Sequence, residues 1–291
     1  MLNNKNIKLT IVDNFITSKN NFFKNFDSKN IKFVKADASK KINIRGSVDF
    51  IIHAAGIASP FYYRAKPLET LDVAVNGLRN ILEIAITKKA KVLFFSSSEI
   101  YGDPDVREIP IKEEYRGYVN TMGPRACYDE GKRLGETLCY IYNQKFDLHT
   151  NIVRPFNIYG PGMMKKDYRV LPNFASLIKS NKPIKIYGDG KQTRTFCYIT
   201  DALNGFLKIM HKGRSGEAYN IGNPKPEISM INLHKISEKI LNKKIKMKQI
   251  NYPKTYPGDE PKRRCPSIKK AKLQLGYNPN VSLEEGLKKF Y

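Results

Sequence analysis

The stretch KVLFFSSSEIYG, Lys91–Gly102, decides how the rest of the chain is read. It opens on the apolar run Lys91–Ser96 and breaks at once into serines, a carboxylate and a glycine. An apolar run without polar alternation suits a strand covered on both faces, with the polar residues marking its carboxyl end. Upstream, Pro67–Lys89 has helical spacing, since Leu71, Val75, Leu78 and Leu82 fall at intervals of 4, 3 and 4. Downstream, a second helix follows Tyr128, with Leu134, Leu138 and Ile141 expected on its buried side. Further strands are expected at Lys8–Val12, Ile31–Lys35, Val48–His53 and Thr150–Val153. Strands alternating with helices in this way predict an α/β fold built on a parallel sheet.

Beyond Arg154 the alternation gives way to the Gly/Pro loops NIYGPG and YGDGKQTR. Helices are expected over Leu171–Asn181, Asp201–Lys212, Ser229–Lys243 and Ser282–Phe290, the last with Ser282 as N-cap. The organisation expected is a nucleotide-binding layer over residues 1–154 and a smaller substrate-binding region over 155–291, interleaved with the first.

Composition narrows the classes. The 291 residues are 41% hydrophobic and 11% aromatic, which excludes a disordered chain. No stretch approaches the roughly 18 apolar residues of a membrane span, and the start MLNNKNIKLT has no signal-peptide pattern. Cys127, Cys139, Cys197 and Cys265 form no CxxC pair, and four scattered histidines give no metal-ligand spacing. A reduced, cytoplasmic protein without metal is expected. The net charge of +24 raises a nucleic-acid or anionic-membrane partner. Its lysines are spread along the chain without an accompanying recognition motif, so neither partner is expected.

The chemistry lies in two segments. Tyr128 and Lys132, in YDEGK, are four residues apart and share one helix face. An ammonium beside a phenol favours the phenolate, and a strand-end hydroxyl such as Ser97 shares the proton being removed. This is a device for oxidising a secondary alcohol, with hydride passing to a nicotinamide. A carboxylate such as Glu99, directly after an apolar strand, requires a partner or a task. His53 is expected as a packed strand-end residue with a satisfied ring, and Asp13 and Asp37 have the ordinary turn role as their bland reading.

The segments IVDNFITS, HAAGIASP, SSSEIYGDP, GPRACYDEGKR, RPFNIYGP, YGDGKQTRTFCYITD and KRRCPSIKKAKLQLGYNP occur in this order. Through them the chain resembles the extended short-chain dehydrogenases/reductases that act on nucleotide sugars, most closely the UDP-glucuronate decarboxylases. The resemblance implies a Rossmann-like sheet, an NAD cofactor, a nucleotide-sugar substrate with UDP favoured, and a homodimer. It implies that Tyr128 takes the sugar C4-hydroxyl proton and that Lys132 holds the nicotinamide ribose and tunes Tyr128. Ser97 would bond the same hydroxyl, with Ser98 and Glu99 beside the sugar carboxylate. Arg264 would reach the reacting centre, and Asn157 and Arg194 would contact the diphosphate. Asp13 and Asn14 would meet the adenosine ribose, Asp37 the adenine, and Ala54 and Ala55 the cofactor at the next strand end.

Two departures accompany the resemblance. Gly162 stands where the decarboxylases commonly carry Arg. The family opens on a strand, a TGxxGxxG turn and a helix that hold the pyrophosphate, whereas the first glycine here is Gly46. The expectation is a sheet lacking its first strand–helix unit, on the order of 30 residues, with cofactor affinity and turnover severely reduced. Alternatives are a nucleotide-sugar 4,6-dehydratase, for which Ser98 replaces the usual acid, a 4-epimerase, or a non-catalytic nucleotide-sugar-binding remnant.

Overall fold

The structure is a computed structural model that describes residues 7–17, 29–164, 167–252 and 261–291. Two parallel sheets form its first layer. Strands β1 (Leu9–Asp13) and β2 (Ile31–Lys35) pair with each other, Leu9 opposite Ile31. A four-stranded sheet follows, built from β3 (Phe50–His53), β4 (Lys91–Phe95) and β5 (Thr150–Pro155) and closed by a late strand, Ala218–Ile221. Its order runs from β3 through β4 and β5 to that late strand, all parallel. The strands expected from the apolar runs are all present, within two residues at each end. Among the described residues nothing pairs with the second edge of β1 or of β3.

Helices cover this layer. α1 (Pro60–Ala65) and α2 (Pro67–Asp72) lead into a π-helical stretch, Val73–Gly77, and then α3 (Leu78–Lys88). The single helix expected over Pro67–Lys89 is therefore broken. The wider turn sets Gly77 against the Ala38 carbonyl, where an added Cβ would lie 3.3 Å away. α4 (Ala126–Phe146) packs on β4 and β5, burying Gly131, Gly135, Cys139 and Tyr142. Of the stripe expected to be buried, Leu138 packs partly buried against the core, whereas Leu134 and Ile141 lie outward, 45% and 44% exposed. The reason is close approach: a Cβ on Gly135 would fall 2.5 Å from the Phe94 ring, so this glycine takes the face toward the sheet.

The rest of the chain forms a second lobe. It contains β6 (Ile158–Tyr159), α5 (Val170–Lys179), β7 (Ile184–Tyr187), β8 (Thr193–Arg194), β9 (Cys197–Tyr198) and α6 (Ile199–Lys212). The late strand of the first layer, Ala218–Ile221, is β10, and β11 (Ile228–Ser229), α7 (Met230–Leu241) and β12 (Met247–Ile250) follow. β13 (Arg263–Arg264), α8 (Lys269–Leu275) and α9 (Leu283–Phe290) complete it, with Ser282 closing a capping box on Glu285. One core cluster packs α5, α7 and α9 on β7, through Leu171, Phe174, Ile184, Leu233 and Leu287. Because β10 joins the first sheet and α6 packs beneath it, the two lobes interleave. Among the described residues no helix is long and apolar enough to cross a membrane.

Candidate active site

The site forms where β4 ends and α4 begins. The close seating of α4 on β4 carries Lys132 under the strand end, 5% exposed, where its Nζ donates to the Phe95 carbonyl at 2.6 Å. The same ammonium lies 5.1 Å from the Phe94 ring centroid and 5.9 Å from that of Tyr128. Gly56, in the turn after β3, leaves room for it, since a Cβ there would sit 3.3 Å from Nζ. Burial pushes the Lys132 pKa down to about 8, with the Glu136 carboxylate opposing the shift. The folded chain thus sheds this proton before the unfolded chain does. Between about pH 8 and pH 10.5 the unfolded state holds more protons, and Lys132 adds stability as pH rises. Urea unfolding of the wild type and of Lys132→Met should diverge across that window, by up to about 1.4 kcal/mol per pH unit. Parallel pH profiles would show that water reaches Nζ.

Tyr128 is buried, and its ring stacks on Tyr63 with centroids 5.2 Å apart and planes 11° from parallel. Its hydroxyl is hydrogen-bonded with Ser97. Burial raises the phenol's pKa, while Ser97 and the positive charge of Arg169 pull the other way. The lowering expected from Lys132 does not prevail, because the ammonium donates to the Phe95 carbonyl. Ser97 itself caps the short 3-10 turn Ser98–Tyr101, its Oγ accepting from the Glu99 amide at 3.2 Å. Ser98 is buried beneath that turn. One hydroxyl thereby fixes both the turn carrying Glu99 and the phenol.

Glu99 meets two guanidinium groups. Arg264, 2% exposed on β13, donates from Nη1 to one carboxylate oxygen, and Arg125 pairs with the other. Arg125, itself buried, also contacts Asp129 at 3.3 Å. β13 pairs with β8 in parallel, which places Arg264 in register with Arg194. Arg194 is buried and donates to the Thr193 carbonyl at 2.8 Å. Asn157 takes a left-handed backbone, φ 42°, and donates to the Thr195 carbonyl at 2.9 Å. Tyr128, Lys132, Ser97, Ser98, Glu99 and Arg264 therefore converge, with Arg194 beside them on the neighbouring strand.

The residues assigned to a cofactor line the carboxyl ends of the parallel strands. Asp13, ending β1, accepts from the Phe15 amide at 2.7 Å, and Asn14 accepts from Ile16 at 3.0 Å. Asp37, after β2, accepts from the Ser39 amide at 2.9 Å and hydroxyl at 2.8 Å. The Ser39 amide holds its carboxyl below the usual range, and Asn14 bonds it too, which joins Asn14 to Asp37. Ala54 and Ala55 follow β3 on the turn that passes Lys132. Ligands of open parallel sheets bind at such ends. These residues fit the two ends of a dinucleotide: the Asp13 carboxylate suits one ribose, with Asp37 beside it, and a buried cation and phenol suit the other. The described residues supply no glycine-rich turn between them, where β1 and β3 part.

Several contributors were not expected from sequence. Arg125 and Asp129 flank Tyr128, and Arg169 adds positive charge near it. Glu136 accepts from Ser96 Oγ at 2.5 Å and from Arg154 Nε at 2.9 Å, bracing α4 against β4 and β5. The signal for Arg125 was available, since a carboxylate such as Glu99 directly after an apolar strand requires a nearby cation. The His53 ring departs from expectation: buried and stacked on Phe94 at 6.0 Å, it leaves Nε2 without a hydrogen-bond partner. Burial and the Lys132 charge push its pKa down to about 4.

The chain is similar to UDP-glucuronic acid decarboxylase 1 of Xenopus tropicalis, with 39% identity over 97% of its own residues. It spans 65% of the length of that protein. It is 37% identical to UDP-glucuronic acid decarboxylase 3 of Arabidopsis thaliana, covering 99% of this chain and 81% of that one. Among solved structures it resembles UDP-glucuronic acid 4-epimerase from Bacillus cereus, in complex with UDP-glucuronic acid and NAD. There the TM-score is 0.83 and the identity 26%, over 97% of this chain and 89% of the other. The sequence profile of the NAD dependent epimerase/dehydratase family matches residues 1–222. A match over most of the chain, with relatives of this identity along nearly all of it, makes the protein a member of the NAD dependent epimerase/dehydratase family.

Proposed function

We propose that the protein modifies a nucleotide sugar by oxidation at sugar C4, and that its reaction is the decarboxylation of UDP-glucuronate. The observation that carries this reading is the Glu99 carboxylate held between Arg264 and Arg125, one short turn from the Ser97–Tyr128 pair. Two buried guanidinium groups at the reacting end suit a substrate that brings a carboxylate of its own. NAD, when bound, supplies the hydride acceptor. Tyr128 Oη takes the C4-hydroxyl proton, with Ser97 Oγ sharing it. Lys132 holds positive charge beneath the phenol and, with Asp13, Asn14 and Asp37 at the far end, binds the dinucleotide. The 4-keto uronate loses its carboxylate as carbon dioxide because the ketone accepts the electrons left behind. Arg264 steadies the departing charge, and Arg194 and Asn157 face the diphosphate.

Within this reading residues 1–154 serve the dinucleotide and 155–291 serve mainly the sugar nucleotide. A homodimer is supported by apolar side chains left exposed on the helices of the first layer, Leu68 at 72%, Leu134 and Ile141 among them. Free thiols at all four cysteines suit a reducing compartment such as the cytoplasm.

The reading is tested by supplying UDP-glucuronate and NAD to the chain, and to a version extended at its amino end by a strand, a TGxxGxxG turn and a helix. The extended protein is expected to release carbon dioxide and form a UDP-pentose, at a rate at least tenfold above the 291-residue chain. A 4-keto-6-deoxy sugar formed from a nucleotide hexose would replace the proposal with a 4,6-dehydratase, and a 4-epimeric uronate with an epimerase. Absence of turnover in both proteins, with nucleotide-sugar binding retained, would mark a non-catalytic binder.

A further inference from the structure

Arg264 reaches Glu99 from β13, a strand of only two residues. It belongs to a three-stranded sheet ordered β11–β8–β13. A pairing this short is marginal by itself, because it supplies few backbone hydrogen bonds. Charge adds to the difficulty. Arg263 directly precedes Arg264, and the parallel register sets Arg264 beside Arg194. Like charges side by side on neighbouring strands repel. The segment around β13 is nevertheless tied to both lobes. The Thr193 amide donates to the Lys262 carbonyl at 2.9 Å, and the Ile111 amide donates to the Cys265 carbonyl at 2.9 Å. The Ser267 amide returns to the Ile111 carbonyl at 2.8 Å.

Glu227 supplies the missing negative charge. It directly precedes β11, whose antiparallel pairing sets Ser229 opposite Thr193. From there its side chain spans β8. One oxygen accepts from Arg263 Nε at 2.8 Å and from the Thr193 hydroxyl, and the other accepts from Arg263 Nη2 at 2.7 Å. Such a bidentate pair is the strong form of a guanidinium–carboxylate contact. The Arg263 guanidinium holds the Glu227 carboxyl below its usual range, and the Arg194 charge acts in the same direction. Both oxygens are engaged within the protein, so this carboxylate serves the strand rather than a ligand. We infer that Glu227 is a positioning residue: by clamping Arg263 it seats β13, and thereby sets the Arg264 guanidinium against Glu99 at the reacting end of the site. Two carboxylates then divide three arginines, Glu227 balancing Arg263 and Arg194 while Glu99 balances Arg264.

The test follows the Arg264 guanidinium by NMR in the full 291-residue chain. Paired on Glu99 and 2% exposed, it should give a resolved, slowly rotating nitrogen signal. Glu227→Gln removes the charge and keeps the shape, whereas Arg263→Met removes the other half of the clamp. Each variant is expected to speed exchange of the Thr193 and Ile111 amides at least tenfold and to shift the Arg264 signal toward that of Glu99→Gln. The double variant should add nothing further, because both substitutions break one contact. Either single variant decides the matter if the other does not fold. The consequence for ligand selection rests on the reading of the site as one for UDP-glucuronate. By calorimetry, Glu227→Gln should weaken UDP-glucuronate about tenfold and UDP-glucose less than twofold, since only the first brings a carboxylate toward Arg264. An unchanged Arg264 signal would overturn the clamp, and equal weakening of the two ligands would reduce Glu227 to a general structural role. A wild-type chain with no preference for UDP-glucuronate would instead sink the proposed function, leaving the Arg264 signal to decide the clamp.

Discussion

Replacing Tyr128 by Phe is expected to lower turnover of UDP-glucuronate in the extended protein by roughly 10²–10⁴-fold, the range for loss of a positioned general base. The substitution removes one oxygen and leaves the ring. Stacking on Tyr63 at 5.2 Å is kept, and so is the packing of α4 on β4 through Gly135. What is lost is the hydroxyl bonded with Ser97, in a site where burial holds the phenol protonated until ligands change its surroundings. The melting temperature and the affinity for UDP-glucuronate should therefore change little while carbon dioxide release collapses. Normal turnover by the Phe variant would remove Tyr128 from the mechanism and shift attention to Glu99. A parallel fall in turnover and melting temperature would give the hydroxyl a structural role instead.

The largest expected effect on stability belongs to Glu136. It accepts from Arg154 Nε at 2.9 Å and Nη2 at 2.6 Å and from Ser96 Oγ at 2.5 Å, with both side chains of the ion pair mostly buried. Arg154 in turn donates to the Tyr101 hydroxyl at 2.7 Å, and Tyr101 donates to Asn220 at 2.8 Å. One carboxylate thus anchors a chain of polar contacts linking α4, β4, β5 and β10. Glu136→Ala leaves the Arg154 guanidinium buried without its counter-charge, which costs roughly 3–5 kcal/mol. Glu136→Gln keeps part of the hydrogen bonding and should lose less. The carboxylate is also the charge that supports protonation of Lys132, so the Lys132 pKa should fall further in both variants. Urea unfolding checks the first effect and the pH profile of stability the second. A loss below about 1 kcal/mol would mean that water replaces the carboxylate.

Strands were legible in the sequence because continuous apolar runs such as VLFF in Lys91–Phe95 suit few other positions. The buried side of α4 was not, and the cause is general. Periodicity finds an apolar stripe but does not say which face a neighbour will approach most closely. Here Gly135 admits the Phe94 ring of the sheet, Gly131 admits Leu71 and Ala74, and Leu134 and Ile141 turn outward. The π-helical stretch at Val73–Gly77 was equally hidden, since Leu71 to Leu82 read as one unbroken helix and the widening depends on a carbonyl 39 residues earlier, that of Ala38. At the site, YDEGK and SSSEIYG were sufficient to bring Tyr128, Lys132, Ser97 and Glu99 together. The partners that set their charge, Arg125, Arg169 and Glu136, come from three-dimensional proximity and carried no spacing rule. The net charge of +24 bears on the site through a few buried cations, Lys132, Arg125 and Arg264.

Among the described residues the pair β1–β2 is tied to the remainder through Asn80 and Gly77, whereas α4 and β4 are locked by a buried ion pair and close glycine contacts. A dinucleotide reaching from Asp13 to Lys132 would therefore rest one end on a compliant ledge and the other on a stiff one. The entropy lost on binding would be drawn chiefly from the compliant end. Warming should then erode affinity well before it erodes the rate at saturating ligand. The two quantities become separable by temperature alone.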